Sequence, residues 1–408
     1  MKRVALIGCG AVSQVHIKAI AGMEDAELAA VCDIIEEKAL LRRDEYIREI
    51  KGNGMPSDGI RICTDWHELC DIDIDVVHIC TPHYLHVPMA VELLDAGKAV
   101  FMEKPCAISV EQFEELASTD QRHPGKLGVC FQNRYNETTR IIDRAVAEGK
   151  IGKVTGGRAF VTWRRDEEYY TCSPWKGRLA TEGGGTLINQ SIHTLDLLLR
   201  YLGEPVDVKA TLANHHLNHE EDHNFNRIEV EDTVEAWMEF KNGARACFYA
   251  STGYAADAPV ILEIQGEKGR ISMNGSTVFL ENEEDGFLIL ASDIPVKGSG
   301  ETLLAGNSLQ AVTDMPGNEL QTEAGRQFGN EEQSVISNGI ICLRQNQGKD
   351  WQQTGQRPCK IKNYWGFGHK ACIKDFYRCL TTGDPFPVNL KSTENSFRTM
   401  MKIYGYRR

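Results

Sequence analysis

Short apolar runs alternate with amphipathic segments over the first third of the chain. Val4–Ile7, Leu28–Cys32, Arg61–Cys63, Val76–Cys80, Ala99–Met102 and Leu127–Phe131 read as strands. Between them, the segment after Ser13 (with Val15, Ala19 and Ile20 on one side), Glu36–Ile50, Trp66–Cys70, Pro88–Ala96 and Val110–Ser118 read as helices. Strand–helix units of this length predict a doubly wound parallel sheet, a Rossmann-type α/β domain over residues 1–133. Glu137–Glu148 reads as a further helix, closed by Gly149 and Gly152, and after it the period changes. Val154–Trp163 is a strand, and Glu231–Phe240 alternates through Val234, Ala236, Met238 and Phe240. Asn242-Gly243 makes a hairpin turn into Ala244–Ala250, and Val260–Ile264, Arg270–Met273 and Thr277–Leu280 continue the pattern. These runs predict an antiparallel meander with one polar face, hence a second, α+β domain with an open antiparallel sheet over 134–385. Residues 282–350 lack periodicity and read as long loops on the substrate side or at an oligomer contact. Tyr364–Leu380 and Ser392–Ile403 read as closing helices around the Pro385–Pro387 turn, the last forming a C-terminal closing unit over 386–408.

The strand ends carry the candidate chemistry. Val4–Ile7 runs into Gly8-Cys9-Gly10-Ala11-Val12-Ser13, a G-x-G-x-x-S string after a strand and before a helix. Gly8 suits a tight turn, Gly10 admits a pyrophosphate to the helix N-terminus, and Ser13 keeps helix and strand close. Asp33 ends the second strand at the separation expected of a carboxylate that binds adenosine ribose hydroxyls. With Ile34 and Ile35 after it there is no cation for a 2′-phosphate, so the expected cofactor is NAD rather than NADP. Asp33 as a mere helix cap is the alternative. Thr81-Pro82-His83-Tyr84-Leu85-His86 follows the fourth strand and should border the cofactor; His83 and His86 also fit as plain loop or helix-start residues. Lys104 sits at the carboxyl end of the fifth strand, where Pro105 stops it, and points into the crevice that open α/β sheets offer to ligands.

A second informative stretch is Thr181–Gly203. Gly183, Gly184 and Gly185 precede a helix whose leucines and isoleucines cover most of its circumference, so it should be buried. Asn189, His193, Asp196 and Arg200 recur on it at spacings of four, three and four, one polar line that must satisfy itself or face a ligand. His219-Glu220-Glu221-Asp222-His223 matches H-E-x-x-H, but its asparagine-rich, polar surroundings read as an exposed loop rather than a zinc-binding helix, and no metal is expected.

Composition narrows the setting. A net charge of −13 argues against nucleic-acid or anionic-membrane partners, and no apolar run is long enough to span a bilayer. Residues 1–7 read as a strand rather than a leader. The 13 cysteines are odd in number, scattered, and often inside apolar strands, which fits reduced thiols in the cytosol.

The chain resembles the Gfo/Idh/MocA family of NAD(P)-dependent oxidoreductases. The residues that carry the resemblance are the glycine fingerprint with His16, Asp33, Thr81-Pro82 through His86, Gly97-Lys98 and Glu103-Lys104-Pro105. Gln132 with Arg134, Gly149 through Gly152, and Gly183–Gly185 through His193 and Asp196 complete it. The resemblance implies a Rossmann domain followed by an α+β domain whose open sheet forms dimer or tetramer contacts, Lys104 and His193 as catalytic residues, Glu103 beside the cofactor, and sugars or cyclitols as substrates. Many members carry an aspartate where this chain has Asn189, so here that position can only orient substrate or His193. The expected reaction is hydride transfer from a ring carbinol carbon to NAD, with His193 as base, Lys104 as the cation near the alkoxide, and Asn189, Arg134, Trp163 and Arg164 holding hydroxyls. A glycosidase with transient redox at the sugar ring is the alternative; a non-catalytic NAD-binding protein and a zinc hydrolase are the remaining rivals.

Overall fold

A computed structural model describes residues 1–50, 59–214, 228–291 and 368–407, together with the short strands Val335–Ser337 and Ile340–Cys342. The H-E-x-x-H stretch, most of 282–350 and residues 364–367 lie outside the described residues.

The N-terminal alternation folds into β1 (Lys2–Ile7), α1 (Ser13–Ala21), β2 (Ala26–Cys32), α2 (Glu36–Ile50), β3 (Arg61–Cys63), α3 (Glu68–Asp71), β4 (Val76–Ile79), α4 (His86–Asp95), β5 (Ala99–Glu103), α5 (Val110–Arg122) and β6 (Leu127–Cys130). The strands form one parallel sheet in the order β3-β2-β1-β4-β5-β6. β4 and β5 are buried throughout, as strands covered on both faces must be. The order reverses between β1 and β4, so the loops after these strands share one crevice at the carboxyl edge.

The second domain begins with α6 (Glu137–Ala147), β7 (Val154–Thr162), α7 (Glu167–Thr171), α8 (Leu179–Glu182), α9 (Ile192–Leu202) and β8 (Pro205–Ala213). It continues with β9 (Thr233–Phe240), β10 (Arg245–Ser251), β11 (Ile261–Gly266), β12 (Gly269–Asn274), β13 (Thr277–Asn282) and β14 (Gly286–Ala291). The eight-stranded sheet runs β14-β13-β12-β11-β7-β10-β9-β8. The expected meander is therefore split. β7 lies between β11 and β10, antiparallel to the first and parallel to the second. Alternation specifies which face a strand buries, not which strand lies beside it, and β8 and β14 at the two edges escaped the pattern reading altogether. α9 packs on the inner face: a Cβ at Gly157 of β7 would press on Leu198 and Leu202.

The chain then returns to the first domain. The sequence predicts the helix near 364–380 as part of the second domain. As α10 (Gly368–Thr382) it packs instead on α1 and β6, its Phe376 filling the space left by Gly128 and its Tyr377 fully buried against His78. α11 (Leu390–Tyr404) crosses back to α9 and β8. The C-terminal helices thus contact elements of both domains.

Candidate active site

The glycine loop is built as the fingerprint requires. Gly8 has φ +86°, and a Cβ there would come within 2.7–2.8 Å of the Cys80 and Thr81 backbone, so the loops after β1 and β4 lie directly against each other. Gly10 has open space where its Cβ would be. Ala11 is exposed and Val12 half-buried ahead of the α1 N-terminus, which has no side-chain cap. Asp33 accepts hydrogen bonds from Cys9 N (2.8 Å) and Ile35 N (2.9 Å), so it pins the loop and also caps the turn after β2. Ile34 and Ile35 are exposed beside it. An anion cradle with room, a helix N-terminus and a carboxylate at the second strand fit a dinucleotide.

Thr81 and Pro82 are half-buried at the rim, but the histidines after them are braces. His86 is fully buried with its ring nitrogens on the carbonyls of Pro105 (2.9 Å) and Thr81 (3.0 Å). His83 donates from Nδ1 to the Glu182 carbonyl (2.8 Å). Glu103 also faces inward. It accepts from His16 Nε2 (2.9 Å), which continues through Nδ1 to His78 (2.8 Å) and on to Tyr377 Oη (2.9 Å). Burial pushes the Glu103 carboxyl up, but the His16 hydrogen bond and neighbouring positive charge outweigh it and hold the group well below the usual range. Glu103 and Cys130, whose ligand atoms lie with that of His16 within 4.8 Å of one another, belong to this buried network.

Lys104 emerges on the other side. Its Nζ donates to the Asn189 carbonyl (2.7 Å) and reaches Asn189 Oδ1 (3.4 Å), across the domain junction. Asn189 lies in a turn of π-helix, Thr186–Ser191, that precedes α9. Such a turn carries an extra residue, so the spacing of four that put Asn189 in line with His193 does not hold through it. The polar line accordingly divides. Asn189 faces Lys104, and Arg200 pairs with Asp143 (2.9 Å). Asp196, 1% exposed at its side chain, takes both Arg134 Nε (2.7 Å) and Nη2. Arg134 further donates to Ser392 Oγ (3.0 Å) and O (2.9 Å), so the guanidinium expected to hold substrate hydroxyls clamps α9 to α11 instead.

His193 is half-buried, edge-on to Phe131 at 5.4 Å. It makes no hydrogen bond among the described residues, and its Nδ1 is buried without a partner. Burial first, then the nearby Lys104 charge, pull it well below an ordinary imidazole, so it is neutral at pH 7. Burial also lowers Lys104, against the pull of Glu103 and Glu182.

The strand-end pair Trp163-Arg164 also resolves by period. Trp163 is buried, with Nε1 on the Ala258 carbonyl (3.2 Å), while Arg164 is exposed on the opposite side. Arg165, two residues past Trp163, is the arginine that turns inward. Its guanidinium lies 5.2 Å over Trp163 and 5.6 Å over Tyr169, and its Nε donates to Gln190 (3.2 Å). Three further residues went unnoticed in the sequence. Tyr169 Oη accepts from Asn189 and Gln190. Glu231 accepts from Gly185 N and Leu187 N (3.0 Å each), fixing the glycine stretch. Glu182 accepts from Asn189 Nδ2 (2.6 Å) and Gly177 N (2.6 Å). The period of two along Val154–Trp163 could have found Arg165; nothing local marks Glu231, which lies far from the glycines in sequence.

Both domains resemble known proteins. Residues 2–131 match the profile described as "Oxidoreductase family, NAD-binding Rossmann fold", and 139–272 that of the "GFO/IDH/MocA C-terminal domain". An inositol 2-dehydrogenase of Rhizobium meliloti is 31% identical over 212 residues, 52% of this chain; the match spans only 58% of that protein's length. A D-glucoside 3-dehydrogenase of Escherichia coli is 26% identical over 314 residues, 72% of this chain and 82% of its own. The crystal structure of the WlbA dehydrogenase from Chromobacterium violaceum with NADH and UDP-GlcNAcA superposes with a TM-score of 0.60 at 29% identity, covering 69% of this chain and 78% of that one.

Proposed function

Because the chain belongs to the Gfo/Idh/MocA family of NAD-binding oxidoreductases, we propose that it transfers a hydride between a carbinol carbon of a sugar or cyclitol and NAD. The observation that carries this reading is the pairing of Lys104 and His193 beside the glycine-loop crevice. Lys104 is anchored by Asn189, and the buried Nδ1 of His193 has no hydrogen-bond partner among the described residues. Gly8, Gly10, Ala11, Val12 and Asp33, with Thr81 and Pro82 at the rim, would hold the dinucleotide, which when bound supplies the hydride acceptor. The neutral His193 accepts the hydroxyl proton as the C–H bond breaks. Lys104 donates two of its three N–H groups to Asn189, leaving one for the substrate oxygen, where its charge offsets the developing alkoxide. Asn189 orients Lys104 rather than titrating. Arg165, Gln190 and Tyr169 line the inner side as hydroxyl partners, in place of Arg134 and Arg164.

The outer face of the eight-stranded sheet supports assembly. Trp237 (65% exposed) near one edge and Phe287 (62%) with Ile289 at the other are exposed apolar groups that a homodimer or homotetramer contact would cover. Among the described residues no helix is long and apolar enough to cross a membrane. A cytoplasmic setting is supported by buried thiols such as Cys9 and Cys32, both pushed up by burial to about 12.

The test is nicotinamide absorbance with NAD⁺ and a panel of inositols, free sugars, sugar phosphates, nucleotide sugars and aryl glycosides. Growth of NADH with one class is expected. Lys104→Ala and His193→Ala should each lower kcat by about 100-fold or more while NAD still binds. Near-normal turnover in either variant would remove it from the assignment, and release of the aglycone from an aryl glycoside without NADH would establish the transient-redox glycosidase instead.

A further inference from the structure

The site lacks a titratable side chain at position 189, yet a carboxylate stands one hydrogen bond behind it. Glu182 is fully buried, directly before the glycine stretch. Gly183 after it has φ +84°, and a Cβ there would come within 2.6 Å of Ile108, so glycine is the residue that fits directly behind Glu182. Its Oε2 takes Gly177 N and its Oε1 takes Asn189 Nδ2, both at 2.6 Å. Asn189 in turn reaches Lys104 with its own carbonyl and with Oδ1. The result is a continuous line: carboxylate, amide, ammonium.

We propose that Glu182 is the acid of this site, a positioning residue that sets the orientation of the Asn189 amide and holds Lys104 as a cation from one residue further out. This inference rests on the assignment of Lys104 made above. An amide between two groups has two orientations, and the state of Glu182 selects between them. Ionised, Glu182 accepts from Asn189 Nδ2, which turns Oδ1 toward Lys104. Protonated, it donates to Oδ1, and the turned amide presents Nδ2 to the ammonium, donor facing donor. The Lys104 contact through the side chain is then lost, and only the Asn189 carbonyl still accepts from it.

The surroundings place this switch at an accessible pH. Among the described residues, Lys104 at the end of β5, Lys176 between α7 and α8, Tyr169 and Tyr170 on α7, His83 after β4 and Glu231 before β9 are the charged and titratable groups around Glu182. Burial dominates and pushes the carboxyl up to about 7, against the hydrogen bonds from Asn189 and Gly177 and the Lys176 charge. The Glu182 carboxylate is also one of the two largest influences that keep the buried Lys104 protonated. The active orientation is therefore populated above about pH 7 and lost below it.

The experiment exchanges acid and amide. Glu182→Gln removes the charge, and the double variant Glu182→Gln/Asn189→Asp restores it one position closer, with the hydrogen bond reversed but kept. Two readouts are taken on each protein: kcat and KM against pH, and the pH profile of Lys104 acetylation by acetic anhydride, followed by mass spectrometry. In Glu182→Gln, Lys104 should become reactive at lower pH. The acid limb of kcat near pH 7 should disappear, and kcat should fall about 10- to 100-fold, the range for loss of a group that orients a reacting side chain. The double variant should recover most of the kcat and return the labelling profile toward wild type. An unchanged labelling profile and acid limb in Glu182→Gln would overturn the inference. So would a double variant no better than the single one, because Glu182 would then only brace the Gly177 loop. Labelling needs no substrate. A labelling shift in a protein whose Lys104→Ala variant still turns over would sink the catalytic assignment while leaving the Glu182–Lys104 coupling intact.

Discussion

Arg134 separates a binding role from a structural one, and alanine at this position tells them apart. The wild-type guanidinium makes four hydrogen bonds, two to Asp196 and two to Ser392, with 10% of its side chain exposed. Truncation leaves the Asp196 carboxylate, 1% exposed, with Ser396 Oγ as its remaining side-chain donor among the described residues. Removing one partner of a buried ion pair costs about 3–5 kcal/mol, because the other charge stays buried without compensation. At roughly 2–4 °C per kcal/mol for a domain of this size, Tm should drop by about 6–20 °C. Differential scanning calorimetry measures this directly. The pair variant Arg134→Met/Asp196→Leu should recover most of the loss, since no orphaned charge remains. If Arg134→Ala melts within about 2 °C of wild type while KM for the substrate rises tenfold, the clamp reading is wrong and Arg134 is a substrate ligand after all.

Three further outcomes follow from the geometry. Asp33→Ala removes the acceptor for Cys9 N and Ile35 N and should weaken NAD binding roughly 10- to 100-fold while narrowing its preference over NADP, read by fluorescence titration; unchanged affinities would refute the role. Glu103 is held below the ordinary carboxyl range by His16 and nearby positive charge despite its burial. It therefore contributes stability in full above the ordinary carboxyl range and loses it only as pH falls below that range toward the depressed value; Glu103→Gln should lower stability in urea titrations at pH 7 much more than at pH 2, and equal losses at both would contradict the sign. Dialysis against EDTA should leave turnover unchanged, whereas a chelator-sensitive activity would revive the H-E-x-x-H stretch as a metal site.

The legible parts of the site are those whose partners are close along the chain. The glycine loop, Asp33 and the emergence of Lys104 at a strand end each depend on a strand and the few residues after it. Turn chemistry, a missing Cβ and a fixed φ are written locally, so residue types and spacing suffice. The doubly wound sheet follows from the same local rhythm. His193 was visible as a polar residue on an apolar helix, though its neighbours in the polar line were not what the spacing implied. One turn of π-helix moved Asn189 out of register with Asp196 and Arg200.

Partner choice is what only the folded chain decided. His83 and His86 face backbone carbonyls, Glu103 faces His16, and Arg134 faces Asp196, and each of those pairings joins segments from different elements. The parity of a strand gave Arg165 and not Arg164 its inward direction, but only the seat of β7 between β10 and β11 made that side the site. α10 joined the first domain because Gly128 leaves a gap that Phe376 fills. By itself the amino-acid sequence determined the classes of element and the residues able to do chemistry. Which of them are spent on holding the fold, and which are left to meet a substrate, depends on buried polar groups finding partners across long loops. That is a property of the packed structure, not of any local stretch.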